Sequence, residues 1–362
     1  MTLSLEPRLS PPRWLSPAAT IAAVVVALVA GGLMIAIAGG DPVRSYVHIY
    51  NAAFGSVGVL SDTLVKATPL ILTGLACAIA FRMRLWNIGA EGQFLMGAWG
   101  ASAVILLPIL PAGAPGIVLI PAMMVAGALA GAAWAVIPGL LRARLGVSEI
   151  ITSLMLNYVA LSWVQFWVFG PWSEGGFQQT RAFPPEAWLP RLTDLSSAVP
   201  AFSGLTVHAG LILGLVAAGI LWLVLERGRW GYEISLVGDS PPAARYAGIN
   251  IGRTIILVFL VSGALAGLAG MSEVSGVVHR LQDRISPGYG YTAIIIAYLA
   301  RFGPLRVVVA SILFGALILA GREIQPSGVP AMIQGFVLFA VIVAEILVRY
   351  RVRIRRTAAA TA

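Results

Sequence analysis

Cysteine, lysine and histidine are nearly absent from this sequence of 362 residues. The one cysteine, Cys77, excludes a disulfide within the chain and a cysteine-cluster metal site. The one lysine, Lys66, lies between Val65 and Ala67, so the chain lacks the Gly-Lys-Ser/Thr run of a phosphate-binding loop. The three histidines are far apart and form no H-E-x-x-H zinc motif. We therefore expect no metal, no cofactor and no catalytic residue.

Charged residues are also scarce, at 11% of the chain, whereas 59% of it is hydrophobic and the mean hydropathy is +0.89. Apolar segments of roughly 20 residues, each long enough to cross a bilayer, recur along the chain. Helices are expected because open sheet edges cannot be satisfied in hydrocarbon. The sequence thus predicts an all-α, polytopic membrane protein with about ten transmembrane helices, at residues 18–38, 57–81, 88–108, 116–140, 148–170, 204–225, 253–272, 288–300, 305–320 and 330–348.

The positive charges predict the orientation of these spans. Most of the 24 lysines and arginines fall in alternate loops and at the two ends, and such residues concentrate on the cytoplasmic side of an inner membrane. We therefore expect both termini and the loop 226–252 in the cytoplasm, and the loop 171–203 outside. The net charge of +9 is explained by basic residues beside spans and by a basic tail that meets anionic lipid, so nucleic acid is not an expected partner.

Small residues recur at helical spacing inside the predicted spans. Gly127 with Gly131, and Gly263 with Gly267, form two GxxxG pairs. In lipid, helices associate closely through such small residues, because burial of apolar side chains gives no advantage over lipid tails. These pairs predict a compact bundle.

The external loop 171–203 is rich in turn residues and aromatic residues, which include Trp172, Phe177, Phe183 and Trp188. Aromatic side chains at a membrane surface commonly serve as interfacial anchors. The alternative is that they dock an external partner.

The cytoplasmic loop 226–252 contains the signals that begin and end a short helix. Asp239 or Ser240 can cap it, two prolines suit its first turn, and Gly248 can terminate it. A helix of about two turns is not stable alone in water. It must lie either on the spans of this chain or in a cytoplasmic partner.

Four separated motifs carry a resemblance that runs from about residue 57 to 348. They are NIGAEGQFLMGAWGA at 87–101, GVSEIITSLMLNYVA at 146–160, GYEISLVGDSPPAARYAGI at 231–249 and ISPGYGYTAIIIAYLARFGPL at 285–305. In this order they resemble the permease subunits of ABC importers for simple sugars and nucleosides, the branch that is served by basic-membrane-protein-type binding proteins.

The resemblance implies that residues 1–362 form a single transmembrane permease domain of the type II importer fold. It also implies a cytoplasmic ATPase subunit that hydrolyses ATP in place of this chain, an external substrate-binding protein, and a second permease that is often a different chain. The helix in 226–252 would then be the coupling helix that contacts the ATPase, with Arg245 and Tyr246 as contacts. Its residues in this sequence are Asp239, Pro242, Ala243, Arg245, Tyr246 and Gly248.

Two related halves are a further implication, and the sequence carries a trace of them. If Asn87 is placed on Ser286, the residues Gly89, Ala98, Trp99 and Ala101 fall on Gly288, Ala297, Tyr298 and Ala300 without a gap. The second segment is broken by a proline and two glycines, which predicts a discontinuous span over 270–300. Interrupted helices are where transporters place their sites.

Glu91 is the carboxylate that the first motif places at the entry of an apolar span. A helix N-terminus favours an anion by up to about 1 kcal/mol. Three interpretations stay open: a structural charge that pairs with Arg82 or Arg84, a cytoplasmic gate, or a direct contact with substrate.

A neutral, polyhydroxylated solute such as a nucleoside or sugar needs amides, hydroxyls and aromatic faces. The candidate pathway residues are Glu91, Gln93, Trp99, Asn157, Tyr158, Tyr291 and Tyr298. The alternative function is an ion-coupled secondary transporter of a small polar solute. That class needs an ionisable residue buried near mid-span, whereas the glutamates of the spans fall near predicted span ends.

Overall fold

The computed structural model describes residues 2–8, 12, 14–107, 109–111, 113–321 and 328–355. Met1 and residues 356–362, which belong to the predicted cytoplasmic termini, lie outside the described residues. The chain divides into two compact units, of which one comprises Met1–Ile49 with Ala320–Ala362 and the other Tyr50–Leu319.

The first unit is built from the two ends of the chain. Helix α1 (Leu15–Ile37) packs against α13 (Val329–Arg349). Strand β1 (Thr2–Pro7) pairs antiparallel with β2 (Tyr350–Arg355), so that Thr2 lies opposite Arg355. This short ribbon is not anticipated by the all-helical prediction, which holds for the remaining elements. Helix α2 (Pro42–Phe54) begins in this unit and ends in the other.

The second unit contains the remaining helices. They are α3 (Val57–Arg82), α4 (Ala90–Leu106), α5 (Gly116–Leu145), α6 (Glu149–Phe169), α7 (Gly210–Glu226), α8 (Arg229–Asp239), α9 (Pro241–Tyr246), α10 (Ile251–Glu273), α11 (Tyr289–Leu299) and α12 (Pro304–Ala320). Local sequence explains several boundaries. The Ser56 side chain accepts a hydrogen bond from Val59 N–H and starts α3, and Gly146 ends α5 in the left-handed conformation at φ 67°.

Among the described residues, six helices are long and apolar enough to cross a membrane, or seven if the bent pair α7 and α8 counts as one span. The other predicted spans fold as helices of 17 residues (α4, α12) or 11 residues (α11). The chain is therefore a multi-pass membrane protein. The number of about ten spans stays a prediction.

The predicted interruption in 270–300 is present. Helix α10 continues as a π-helical turn over Val274–Val278, an irregular segment follows, and α11 begins at Tyr289. Gly288 has φ +96°, a conformation that favours glycine, at the point where the chain turns into α11. The bundle thus contains a broken helix.

The two GxxxG pairs face each other, which is consistent with the predicted compact bundle. A Cβ added at Gly131 would lie 2.3 Å from the Gly263 carbonyl oxygen, and one added at Gly97 would lie 2.2 Å from Gly267 Cα. Helices α4, α5 and α10 therefore meet backbone to backbone. This three-helix contact is the centre of the second unit.

Candidate functional site

The start of α4 is held inside the bundle by side-chain amides. Asn87 is fully buried, and its Oδ1 accepts from Gly89 N–H at 3.0 Å while its Nδ2 donates to Ser262 Oγ at 2.8 Å. Gln93 pairs with the same amide through two hydrogen bonds of 2.9 and 3.0 Å. Ser262 lies about 16 Å along α10 from its first residue, at 1.5 Å per residue. Helix α4 therefore begins in the interior of the bundle.

The start of α11 is built in a similar way. Ser286 Oγ accepts from Gly288 N–H at 3.1 Å and from Tyr289 N–H at 3.0 Å. Asn87 and Ser286 thus make equivalent hydrogen bonds, since the side chain of each accepts from the backbone N–H two residues ahead. Local side-chain acceptors of this kind satisfy N–H groups that the first helical turn leaves open.

The two helix starts meet at Glu91. The Glu91 carboxylate accepts from Gly290 N–H at 2.7 Å. A Cβ added at Gly290 would lie 2.2 Å from the Glu91 backbone nitrogen, so the two backbones are in contact. The N-terminus of each helix carries a partial positive charge. Glu91, which is only 8% exposed, places a carboxyl oxygen at this junction as the hydrogen-bond acceptor.

The predicted pairing of Glu91 with an arginine is wrong. Arg82 forms an ion pair with Glu226 at 2.6 Å, and Arg84 forms one with Asp239 at 2.6 Å. Arg82 is the last residue of α3 and Arg84 follows two positions later, whereas the chain turns back into the bundle before α4 begins. Hydropathy places a span in the sequence but does not give its depth, so closeness in sequence does not bring Arg82 or Arg84 next to Glu91.

Asn157 of α6 joins the same junction. Its Oδ1 accepts from Gly92 N–H at 2.8 Å, and its Nδ2 donates to Ile88 O at 2.9 Å and contacts the Tyr291 hydroxyl at 3.3 Å. Tyr291 is 42% exposed, and Tyr158, next to Asn157, is 61% exposed. The structure thus brings together Glu91, Gln93, Asn157 and Tyr291, with Tyr158 beside them on α6.

The other two candidate pathway residues lie elsewhere in aromatic clusters. Trp99 packs among Trp163, Trp167 and Trp172, with ring centroids 5.5–6.1 Å apart. Tyr298 stacks on Trp86 at 5.5 Å and also contacts Phe81 and Phe302. Neither residue contributes to the junction of α4 and α11.

A buried ion pair was missed by the sequence reasoning. Lys66 Nζ lies 3.4 Å from Glu273 Oε1, and both side chains are buried. Glu91, Glu149 and Glu273 lie at helix ends, as expected, and all three are buried. The signal was the lysine itself, because a charge inside an apolar helix is rare and commonly functional.

The short helix predicted within residues 226–252 is present as α9. Ser240 Oγ accepts from Ala243 N–H at 3.4 Å, the prolines Pro241 and Pro242 occupy the first turn, and Gly248 follows the end at φ +77°. Asp239 does not cap α9, since it ends α8 and pairs with Arg84. Arg245 and Tyr246 lie in the last turn, and Tyr246 is 97% exposed.

The loop 171–203 covers the irregular segment that follows α10. Phe183 N–H donates to His279 O at 2.8 Å, and Leu189 N–H donates to Ser275 O at 3.1 Å. Trp188 stacks on the His279 ring at 3.9 Å between centroids. Phe183 is buried, so it does not anchor the loop in lipid.

Burial also governs the charge state of His208, which lies between the loop 171–203 and the start of α7. Its Nδ1 accepts from Gly210 N–H at 3.1 Å. Burial lowers the pKa of His208 to about 4, and the positive charges of Arg191 and Lys66 act in the same direction. Within the part of the chain that the structure describes, His, Cys, Asp and Glu form no group of three or more that could hold a metal ion.

A multi-pass helical bundle with a broken helix and interior helix starts is the architecture of a membrane transport protein. Residues 59–345 match the sequence model of the branched-chain amino acid transport system permease component. The chain belongs to this family, and it is a permease subunit of an ABC importer.

Three relatives cover most of the chain. The glucose ABC transporter permease protein TsgB13 of Haloferax volcanii is 38% identical over 97% of this chain and 94% of its own length. The guanosine ABC transporter permease protein NupP of Bacillus subtilis is 32% identical over 91% of this chain and 93% of its own. A second guanosine permease protein of Bacillus subtilis, NupQ, is 28% identical over 71% of this chain and 79% of its own. No solved structure matches the chain significantly.

Proposed function

We propose that this permease forms the translocation pathway for a neutral nucleoside or simple sugar. The names of the relatives support this substrate class, since they are described as glucose and guanosine permeases. The observation that carries the proposal is the pair of exposed tyrosines, Tyr158 and Tyr291, backed by the buried amide of Asn157. Tyrosine offers an aromatic face and a hydroxyl, which suit a sugar ring or a nucleobase.

The remaining pathway candidates have different parts in this proposal. Gln93 and Glu91 hold the starts of α4 and α11, and they act on the solute through the position of Asn157 and Tyr291. Trp99 and Tyr298 lie in aromatic clusters away from the junction, so we assign them to the two ends of the route. For Glu91 the contact with Gly290 favours the structural interpretation, with the gate as the alternative.

Coupling to ATP hydrolysis is proposed for α9 and its flanks. Tyr246 is almost fully exposed, and an aromatic side chain in that position suits insertion into a partner protein. The residues assigned to this contact are Asp239, Pro242, Ala243, Arg245, Tyr246 and Gly248. ATP would be hydrolysed in a separate cytoplasmic subunit, so the permease itself is not an enzyme.

The assembly we propose contains this chain, a second and different permease, a cytoplasmic ATPase and an external substrate-binding protein. Two different guanosine permease proteins of one organism match this chain, which supports a heterodimer. The chain 1–362 would act as one permease domain in the inner membrane, with both termini and the loop 226–252 in the cytoplasm and 171–203 outside. Membrane lipid contacts the basic tail.

Two related halves are part of the proposal. Glu91 and Gly290 meet although they are 199 positions apart, and the same offset relates Asn87 to Ser286 and the first residue of α4 to that of α11. The same shift in residue number also aligns α3 with most of α10 and with its π-helical turn. A pseudo-two-fold axis through the junction would explain why the two starts face each other.

The alternative is an ion-coupled carrier. The buried pair of Lys66 and Glu273 is the kind of group such a carrier uses. Membership of an ABC permease family favours the importer.

The test is uptake by the assembled transporter in proteoliposomes, with ATP inside or outside and radiolabelled guanosine or glucose. The importer predicts uptake that depends on ATP and on the binding protein, and uptake driven by an ion gradient without ATP would contradict it. Tyr158→Ala should reduce uptake at least about fivefold, the effect of losing roughly 1 kcal/mol. Tyr50→Ala is the matched control, since Tyr50 is 63% exposed and lies on α2.

Coupling has its own test. Arg245→Glu should lower uptake and the ATPase activity stimulated by loaded binding protein, while the variant still inserts and assembles. Arg144→Glu makes the same charge change at the end of α5 and should leave coupling intact. Equal coupling in the two variants would count against a contact by Arg245.

A further inference from the structure

Lys66 is the only lysine of the sequence, and it is buried. It lies in α3, which has the largest buried fraction of the candidate membrane spans among the described residues. Its Nζ lies 3.4 Å from Glu273 Oε1 and 3.4 Å from the Tyr289 hydroxyl. The same hydroxyl lies 3.5 Å from Glu273 Oε1. The three groups therefore form a triangle in which each contacts the other two.

This triangle bridges the break between α10 and α11. Glu273 is the last residue of α10 before the π-helical turn, and Tyr289 is the first residue of α11. Lys66 reaches both from α3. The chain leaves the triangle at Glu273, runs through the irregular segment, and returns to it at Tyr289, so the triangle joins the two edges of the interruption.

The start of α11 is held from its other side as well. Gly290, the next residue, donates its N–H to the Glu91 carboxylate of α4. Tyr289 is fully buried, and its ring lies 5.6 Å from that of Phe94. Two adjacent residues thus fasten α11 to α3 and α10 on one side and to α4 on the other.

A buried ion pair is a poor source of stability, since apolar side chains of similar size commonly stabilise a protein as well or better. In some proteins such a pair instead favours one arrangement over another. The contacts of the triangle are 3.4–3.5 Å long, at the upper limit for a hydrogen bond. Such contacts can be exchanged at modest cost when a helix shifts.

We infer that Lys66, Glu273 and Tyr289 form a latch that holds the first turn of α11 in the resting transporter, and that this latch opens during transport. The inference rests on the proposed function, because α11 carries Tyr291, which we place in the pathway. The three side chains are positioning residues: they act on the solute only through the placement of α11.

The experiment compares the complete transporter, with its ATPase and binding protein, in nanodiscs. ATPase activity is measured alone and with binding protein saturated with guanosine or, in parallel, glucose. Tyr289→Phe keeps the ring and removes the hydroxyl, and Lys66→Met removes the charge. Each should raise basal ATPase activity about fivefold and lower the stimulation ratio by a similar factor, because the resting form loses contacts that hold it.

The matched control is Ser102→Ala, which removes a buried hydroxyl that donates to Ala98 O in α4, away from the break. It should keep the wild-type ratio. The exchange Lys66→Glu with Glu273→Lys re-forms the ion pair and should return the ratio toward that of the wild type.

Wild-type ratios in Tyr289→Phe and Lys66→Met would overturn the latch, even if their melting temperatures fall, since a purely structural role lowers stability without changing the ratio. If the Lys66→Met variant does not assemble, the stimulation ratio of Tyr289→Phe alone tests the latch. A wild-type complex that neither guanosine nor glucose stimulates would contradict the proposed function, whereas normal wild-type stimulation with unchanged variant ratios contradicts only the latch.

Discussion

The carboxylate of Glu91 and the backbone N–H of Gly290 are joined by a hydrogen bond of 2.7 Å across 199 positions of sequence. Each residue lies in the first turn of a helix that starts inside the bundle. The negative charge therefore serves two helix dipoles at once. A buried carboxyl group, which is costly in the membrane interior, is accommodated here because the Gly290 N–H is oriented to donate to it.

Replacement of Glu91 by glutamine tests what this charge does. Glu91→Gln keeps the shape and can still accept from Gly290, while it loses a charge-assisted interaction of about 1 kcal/mol. We expect a modestly lower melting temperature and near-normal transport. A gate would instead raise basal ATPase activity or abolish stimulation by the loaded binding protein.

The control for this variant is Glu345→Gln, which makes the same change at an exposed i,i+4 pair with Arg349. It should leave melting temperature and transport unchanged. If Glu91→Gln behaves like the control in both measurements, both interpretations of Glu91 are wrong.

Gly290→Ala tests the backbone contact. The added Cβ would lie 2.2 Å from the Glu91 nitrogen, so the starts of α4 and α11 must separate. We expect a loss of at least about 3 kcal/mol, as for severe overpacking, and little assembled protein on size-exclusion chromatography. Gly219→Ala on α7 is the control, since nothing lies within 4 Å of its added Cβ. Equal yields of the two variants would contradict the contact.

The orientation is tested by cysteine labelling in intact cells with an impermeant reagent. The native Cys77 is buried and should not react. Phe177→Cys, in the loop predicted outside, should be labelled, because Phe177 is 68% exposed. Tyr246→Cys should be labelled only after the cells are opened. If Tyr246→Cys were labelled in intact cells and Phe177→Cys only after they are opened, the orientation would be the opposite of the predicted one.

His208 should make stability fall in acid. Its pKa is about 4 in the folded protein against 6.5 for the unperturbed group, so the unfolded chain takes up the proton first. The contribution is complete above pH 6.5 and is lost as the pH falls from 6.5 towards 4, by about 2 kcal/mol between pH 7.5 and pH 5. Thermal unfolding of purified protein in detergent measures it.

His208→Gln removes the titrating group and keeps an acceptor for Gly210 N–H, so its melting temperature should change less over this range. His48→Gln, at an exposed histidine of α2, should keep the full wild-type decrease. If the melting temperatures of wild type and His208→Gln fall equally as the pH is lowered, another group is responsible.

Features set by neighbouring residues could be predicted from the sequence. The short helix α9 followed from a serine, two prolines and a glycine within a few positions, and its cap is a contact of Ser240 with Ala243. The close helix packing at the glycines of α5 and α10 followed from their spacing, although the spacing did not show that the two pairs meet. In both cases the deciding interaction is encoded by a local pattern or by the absence of a side chain.

Features set by distant residues could not be predicted. Glu91 was expected to meet Arg82 or Arg84, which are near in sequence, because nothing in a hydropathy pattern tells that the chain turns inward before α4. Lys66 and Glu273 lie 207 positions apart, and no local pattern pairs them. Prolines and glycines in the sequence indicated where the helices break. Which residues meet at those breaks depends on the packing of the whole bundle.

The backbone contact at Gly97, Gly131 and Gly267 has a mechanical consequence. Three helices that touch through their main chains leave no space for a side chain to pass, so one of them cannot turn about its own axis without collision. Helices α4, α5 and α10 must then travel as a rigid block. Whatever displacement carries a solute across the membrane then has to occur outside that block.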